Sequence, residues 1–189
     1  MRRGVFAFAI CVTCWLWMQI IHELGHALAT LYFGGQVELV YLVPWDISRT
    51  DFHAPQHELP IIWAGPIFGA LVPAIVWLTL RLFKSSQEPL AAFFAGFCLI
   101  ANGAYLGAAV FLPVGDAAEI LKLGGASWQL ALFGVVCVPL GLWLWNGRGG
   151  YFGFGQGAQT VTSRGASIAA GVLVGTLALE TIGYLLFVA

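Results

Sequence analysis

Two imidazoles and a carboxylate stand within five residues of one another at His22-Glu23-Leu24-Gly25-His26. On a helix, positions four apart lie on one face, one turn apart. His22 and His26 can therefore share a metal ion through one nitrogen each. Glu23, beside them, can take a proton from a water held at such a centre. The chemistry these residue types allow is metal-assisted hydrolysis. A catalytic zinc takes three protein ligands and keeps a fourth position open. A third His six residues after the pair would complete one known pattern, but Tyr32 stands there. The third ligand has to come from elsewhere in the chain.

The element that carries this cluster is apolar. From Gly4 to Phe33 the only other strongly polar side chain is Gln19. Ionisable groups are costly inside a membrane and, where present, line a polar cavity or an ion site. The 189 residues are 60% hydrophobic and only 9% charged, the composition of an integral membrane protein with little soluble mass. Five apolar runs, residues 5–33, 60–83, 90–112, 128–145 and 166–188, are each about long enough to cross a bilayer. The expected fold is all-α, a polytopic bundle of five membrane helices. Residues 1–126 would form a three-span core with a polar-containing loop at 34–59. Residues 127–189 would add a two-span appendage with a Gly-rich linker at 146–165, and a short helix is expected between residues 113 and 126.

Lys and Arg set the expected orientation. A cytoplasmic N-terminus puts Arg2, Arg3, Arg81, Lys84, Arg148 and Arg164 inside and leaves Arg49 and Lys122 outside. The chain then reads as a multi-pass protein of the cell (inner) membrane with an external C-terminus. The first run is too long for a signal-peptide core, and the ionisable cluster would interrupt it. A net charge of -1 with no basic stripe excludes nucleic acid as a partner; membrane lipid is the expected surrounding. Cys11, Cys14, Cys98 and Cys137 all lie in apolar runs and read as small packing groups. Gly65 and Gly69, Gly103 and Gly107, and Gly171 and Gly175 are spaced to let helices approach closely.

Asp116 is the favoured third ligand. The first span runs up, the second down and the third up, so the end of the third lies on the same side as the histidines. A competing role for Asp116 is helix N-cap, with Glu119 completing a capping box. His53, His57, Asp46, Asp51, Glu58 and Glu119 are rival ligands in or near loops.

With these pieces in order, the chain resembles the site-2 protease family of intramembrane metalloproteases. His22-Glu23-Leu24-Gly25-His26 matches the family's first motif. Ala64-Gly65-Pro66 is similar to the Gly-Pro element of its second core helix, and Pro113 to Asp116 resembles the third-helix motif that supplies a metal-binding aspartate. The likeness covers about residues 5–123. It implies a three-helix metalloprotease-like core, Zn²⁺ held by His22, His26 and Asp116, and Glu23 as the catalytic base. The implied activity is hydrolysis of a peptide bond in a transmembrane protein substrate. The chain departs from the pattern at Ala117, where the family has Gly, and near Gly69, where it has Asn. Asn102, in the third span, is expected either to orient a substrate backbone or to tie helices together. A resident Zn²⁺ near the outer end of the first span also departs from family members whose site opens to the cytoplasm. Residues 36–45 are β-prone and can add an edge strand to an extended substrate. Glu180 is a lone acid in the fifth span. Two other classes fit the chain: a noncatalytic scaffold, or accessory subunit of a larger membrane complex, and a metal carrier. Glu23 would be dispensable in both.

Overall fold

The computed structural model describes residues 2–54, 56–152 and 161–188. In chain order the elements are α1 (Arg2–Tyr32), β1 (Gln36–Tyr41), β2 (Arg49–His53), α2 (Glu58–Leu82), α3 (Glu88–Ala108), α4 (Gly115–Lys122), α5 (Ser127–Trp145) and α6 (Ser163–Phe187), with a short 3₁₀ turn at Gly149–Phe152. All but α4 among the helices are long and apolar enough to cross a membrane. The 31 residues of α1 reach about 46 Å at about 1.5 Å per residue, more than a hydrocarbon core of about 30 Å needs.

The chain is not wholly helical. The β-prone stretch after α1 forms an antiparallel hairpin, with Val40 opposite Thr50 and a register irregularity between Val37 and Leu39. Branched and aromatic residues favour the strands, and Pro44 stands in the connection, where no ladder hydrogen bond is lost. Arg49 lies over the Tyr41 ring at 4.4 Å, and the edge of Tyr184 on α6 meets Tyr41 and Trp45.

The third apolar run ends earlier as a helix than its hydrophobicity suggests. α3 stops at Ala108, and residues 109–112 leave in turns. Pro113 disfavours helical backbone in the residue before it. The chain therefore folds back at once into α4 instead of continuing outward, which brings Asp116 down toward α1.

Glycine lines set the helix contacts. A Cβ on Gly103 would come within 2.7 Å of the Cys137 Cβ, and one on Gly107 within 3.1 Å of the Gly134 Cα. α5 therefore lies antiparallel along α3 at near-backbone contact. α6 packs instead on α1, through Ala9, Leu16, Ala169 and Leu173 and a hydrogen bond from Trp17 Nε1 to Thr176 Oγ1 at 3.1 Å. The last two helices thus dock on different members of the first three. Gly171 and Gly175 meet no atom within 4 Å. Part of the Gly-rich linker, residues 153–160, lies outside the described residues. The four cysteines are unpaired, three of them buried.

Candidate metal centre

α1 carries its polar residues on one stripe. Gln19, His22, Glu23, His26 and Thr30 recur at helical spacing and are all buried. Leu24, Leu28 and Leu31, on the other side, are exposed. This is an amphipathic helix turned inside out: its apolar face is free to meet lipid and its polar face looks into the bundle.

The histidines meet Asp116 there. His22 Nε2 lies 2.8 Å from Asp116 Oδ2, and His26 Nε2 lies 3.6 Å from the same oxygen. The three potential ligand atoms fall within 4.8 Å of one another, and among the described residues no other group of three His, Cys, Asp or Glu does so. Asp116 sits in the first turn of α4; the residue before that helix is Val114, and it makes no side-chain cap. Gly115 is needed just before Asp116 because its φ is +53° and the Tyr105 hydroxyl occupies the place a Cβ would take. The Asp116 N–H donates to that hydroxyl at 2.8 Å, which fixes the turn. Burial alone would raise the Asp116 carboxyl. The hydrogen bonds and charge of His22 and His26 outweigh it and hold the group below the usual carboxylate range.

α2 forms the floor. Gly25 of α1 is tight against it, since a Cβ there would come within 2.7 Å of the Phe68 Cβ. Gly65 faces the imidazoles directly, and a Cβ on Gly65 would fall onto both His26 and His22. Pro66 removes one backbone donor from the next turn of α2. In the first turn of α2 the Ile61 carbonyl accepts from His26 Nδ1 at 2.9 Å. A carbonyl can only accept, so His26 carries a proton on Nδ1, and Nε2 is the nitrogen turned to the cluster.

The hairpin forms the roof. Gln19 and Glu23 are one turn apart on α1, about 6 Å. Ser48 and Thr50 are two apart in extended chain, about 6.6 Å. The two repeats match. The Ser48 N–H donates to Gln19 Oε1 at 2.8 Å, and Thr50 Oγ1 donates to Glu23 Oε2 at 2.8 Å. Beneath lies a cavity of about 530 Å³, with Trp15, Met18, Ile47, Phe52 and Tyr105 among its walls.

Every residue singled out in the sequence for the site lines this cavity: His22, Glu23, His26, Asn102 and Asp116. Both ends of the Asn102 amide are engaged, one by His22 Nδ1 at 2.8 Å and one by the Cys98 carbonyl at 2.9 Å. Four of the six rivals are engaged elsewhere. Asp51 pairs with Arg49, Glu119 with Lys122, His57 stacks on Phe33, and Asp46 accepts from the Ile47 N–H. Thr50, Ser48, Tyr105 and the Ile61 carbonyl have no motif to announce them. Glu180 is buried on α6, and its Oε2 has no hydrogen-bond partner among the described residues. Comparison of the chain with family models, curated proteins and solved structures returns no match.

Proposed function

We propose that the chain is a zinc-dependent intramembrane protease of the site-2 protease type. The observation that carries this reading is the convergence of two imidazole nitrogens and a carboxylate oxygen beside a glutamate that is not one of the three. The residues fit a metal on the chemistry of the donors. Nε2 of His26 offers a lone pair, Asp116 is anionic, and Gly65 leaves open the space a side chain would fill.

His22, His26 and Asp116 would hold the ion. When bound, zinc supplies Lewis acidity and brings the pKa of a coordinated water to about 7. The rest is done by the chain. Glu23 takes a proton from the attacking water and passes it to the leaving amine. Thr50 holds Oε2 of Glu23, which leaves Oε1 to face the water. The apolar walls exclude bulk solvent and suit a substrate segment drawn from the membrane. Such a segment must be extended to expose its carbonyls. β1 pairs only with β2 among the described residues, so its other edge offers main-chain hydrogen bonds to it.

One observation favours the scaffold reading. The 2.8 Å contact between His22 Nε2 and Asp116 Oδ2 by itself ties α1 to α4. The two readings part on metal content and on activity. Purified protein carrying one zinc per chain, and cleavage of single-span reporter proteins in cells that His26→Ala abolishes, support the protease. Protein without zinc that cleaves no reporter belongs to the scaffold.

A further inference from the structure

We propose that Asn102 is a positioning residue for the metal centre, its amide deciding which nitrogen of His22 is free to bind. This rests on the metal-centre reading above. The two ends of the amide are held differently. Nδ2 donates to the Cys98 carbonyl one turn earlier on α3, at 2.9 Å. A carbonyl only accepts, so the NH₂ end is fixed there, and Oδ1 is the end that meets His22 Nδ1 at 2.8 Å. An amide oxygen also only accepts. His22 therefore carries a proton on Nδ1, and Nε2, the nitrogen that meets Asp116, is the one left for a metal. Rotating the amide would set Oδ1 against the Cys98 carbonyl and lose that bond, so the choice is locked.

The surroundings are built for this amide. Asn102 is 1% exposed, so bulk solvent does not compete for its amide. α2 makes room with Gly69, where a Cβ would lie 2.7 Å from both polar atoms of the amide. At His26 the same task falls to the backbone carbonyl of Ile61, which no side-chain change removes. Asn102 is thus the one tautomer-setting contact of the pair that a substitution can delete.

A role in packing alone predicts a different ranking of variants from a role in setting the tautomer. Asn102→Leu keeps the branched shape and suits apolar surroundings but has no acceptor. Asn102→Asp keeps an acceptor at His22 and places a carboxylate in a buried site. Packing alone therefore ranks Leu above Asp, and positioning ranks Asp above Leu.

The test is Zn²⁺ affinity of the full-length protein in detergent, stripped with a chelator and titrated against a chromophoric competitor. Asn102→Leu is expected to weaken Zn²⁺ by about 10–100-fold, the usual effect of losing a partner behind a ligand, while Asn102→Asp stays within about tenfold of wild type. Leu binding as tightly as wild type, or Asp falling as far as Leu, overturns the proposal. If the Leu variant does not fold, Asp decides alone, and a loss beyond about tenfold overturns it. Wild-type protein that binds no Zn²⁺ overturns the metal-centre reading itself. Wild-type binding with an indifferent Leu variant overturns only the role given to Asn102.

Discussion

Gly65→Ala adds one methyl group at the most crowded point of the site. The new Cβ would overlap the imidazoles of both His26 and His22, so either α2 retreats or the rings turn away. If the rings turn, His26 loses its bond to the Ile61 carbonyl and both Nε2 atoms leave the point where they meet Asp116. Overpacking by a methyl group costs about 1–3 kcal/mol. If that strain is relieved by displacing the ligands, it is lost from metal binding, a factor of about 5–140 at about 1.4 kcal/mol per tenfold. Gly171→Ala is the control. Gly171 meets nothing within 4 Å, and Ala in a helix interior is better than Gly by about 0.5–1 kcal/mol. The assay is Zn²⁺ titration beside thermal unfolding for both variants. Gly65→Ala is expected to lose affinity, and Gly171→Ala to keep it with equal or higher stability. Wild-type affinity together with wild-type stability in Gly65→Ala would show that Gly65 does not face the imidazoles; wild-type affinity with lowered stability means that α2 retreats.

Asp116→Ala is expected to bring zinc, measured by elemental analysis, from one per chain toward none; full occupancy in that variant removes Asp116 from the ligand set. Thr50→Val removes a hydrogen bond to a charged group, worth about 1.5–3 kcal/mol, and is expected to slow reporter cleavage by about tenfold or more with zinc content unchanged. Thr50→Ser should restore the rate, and equal rates in Val and Ser variants count against the contact with Glu23. Single cysteines placed at the two termini, in protein lacking the four native ones, are expected to be labelled from opposite sides of the membrane, the N-terminal one from the cytoplasm. Labelling of both from one side refutes five spans.

The spans were legible because each is a long apolar run, and their ends in the structure fall within a few residues of those read from hydropathy. The third was the least legible, since residues 109–112 are as apolar as the helix before them and only Pro113 marks the break. The hairpin was half legible. β1 is branched and aromatic, but β2, Arg49–His53, is polar and charged and takes its strand form from pairing with β1. For the site, the spacing of His22 and His26 and the up-down-up order of the spans point to Asp116. The parts read from neither were those that depend on contact across elements. Gly65 looked like one half of a helix-packing pair, and its placement against the imidazoles follows only from how α2 crosses α1. Asn102 was visible as a lone amide, but its partner was fixed by the rotation of α3.

The central proposal is that Glu23, beside the three proposed zinc ligands, does chemistry. Glu23→Gln keeps the size of the side chain and can still accept the hydrogen bond from Thr50, but it cannot take a proton as a carboxylate does. Cleavage of single-span reporters in detergent, wild type beside Glu23→Gln with zinc measured in the same preparations, is the direct test. The account predicts one zinc per chain in both proteins and a rate about 10²–10⁴-fold lower in the variant, the usual size of a general-base contribution. Equal cleavage by the two proteins, or a wild type that cleaves nothing while Glu23→Gln sustains its role in the cell, would contradict it.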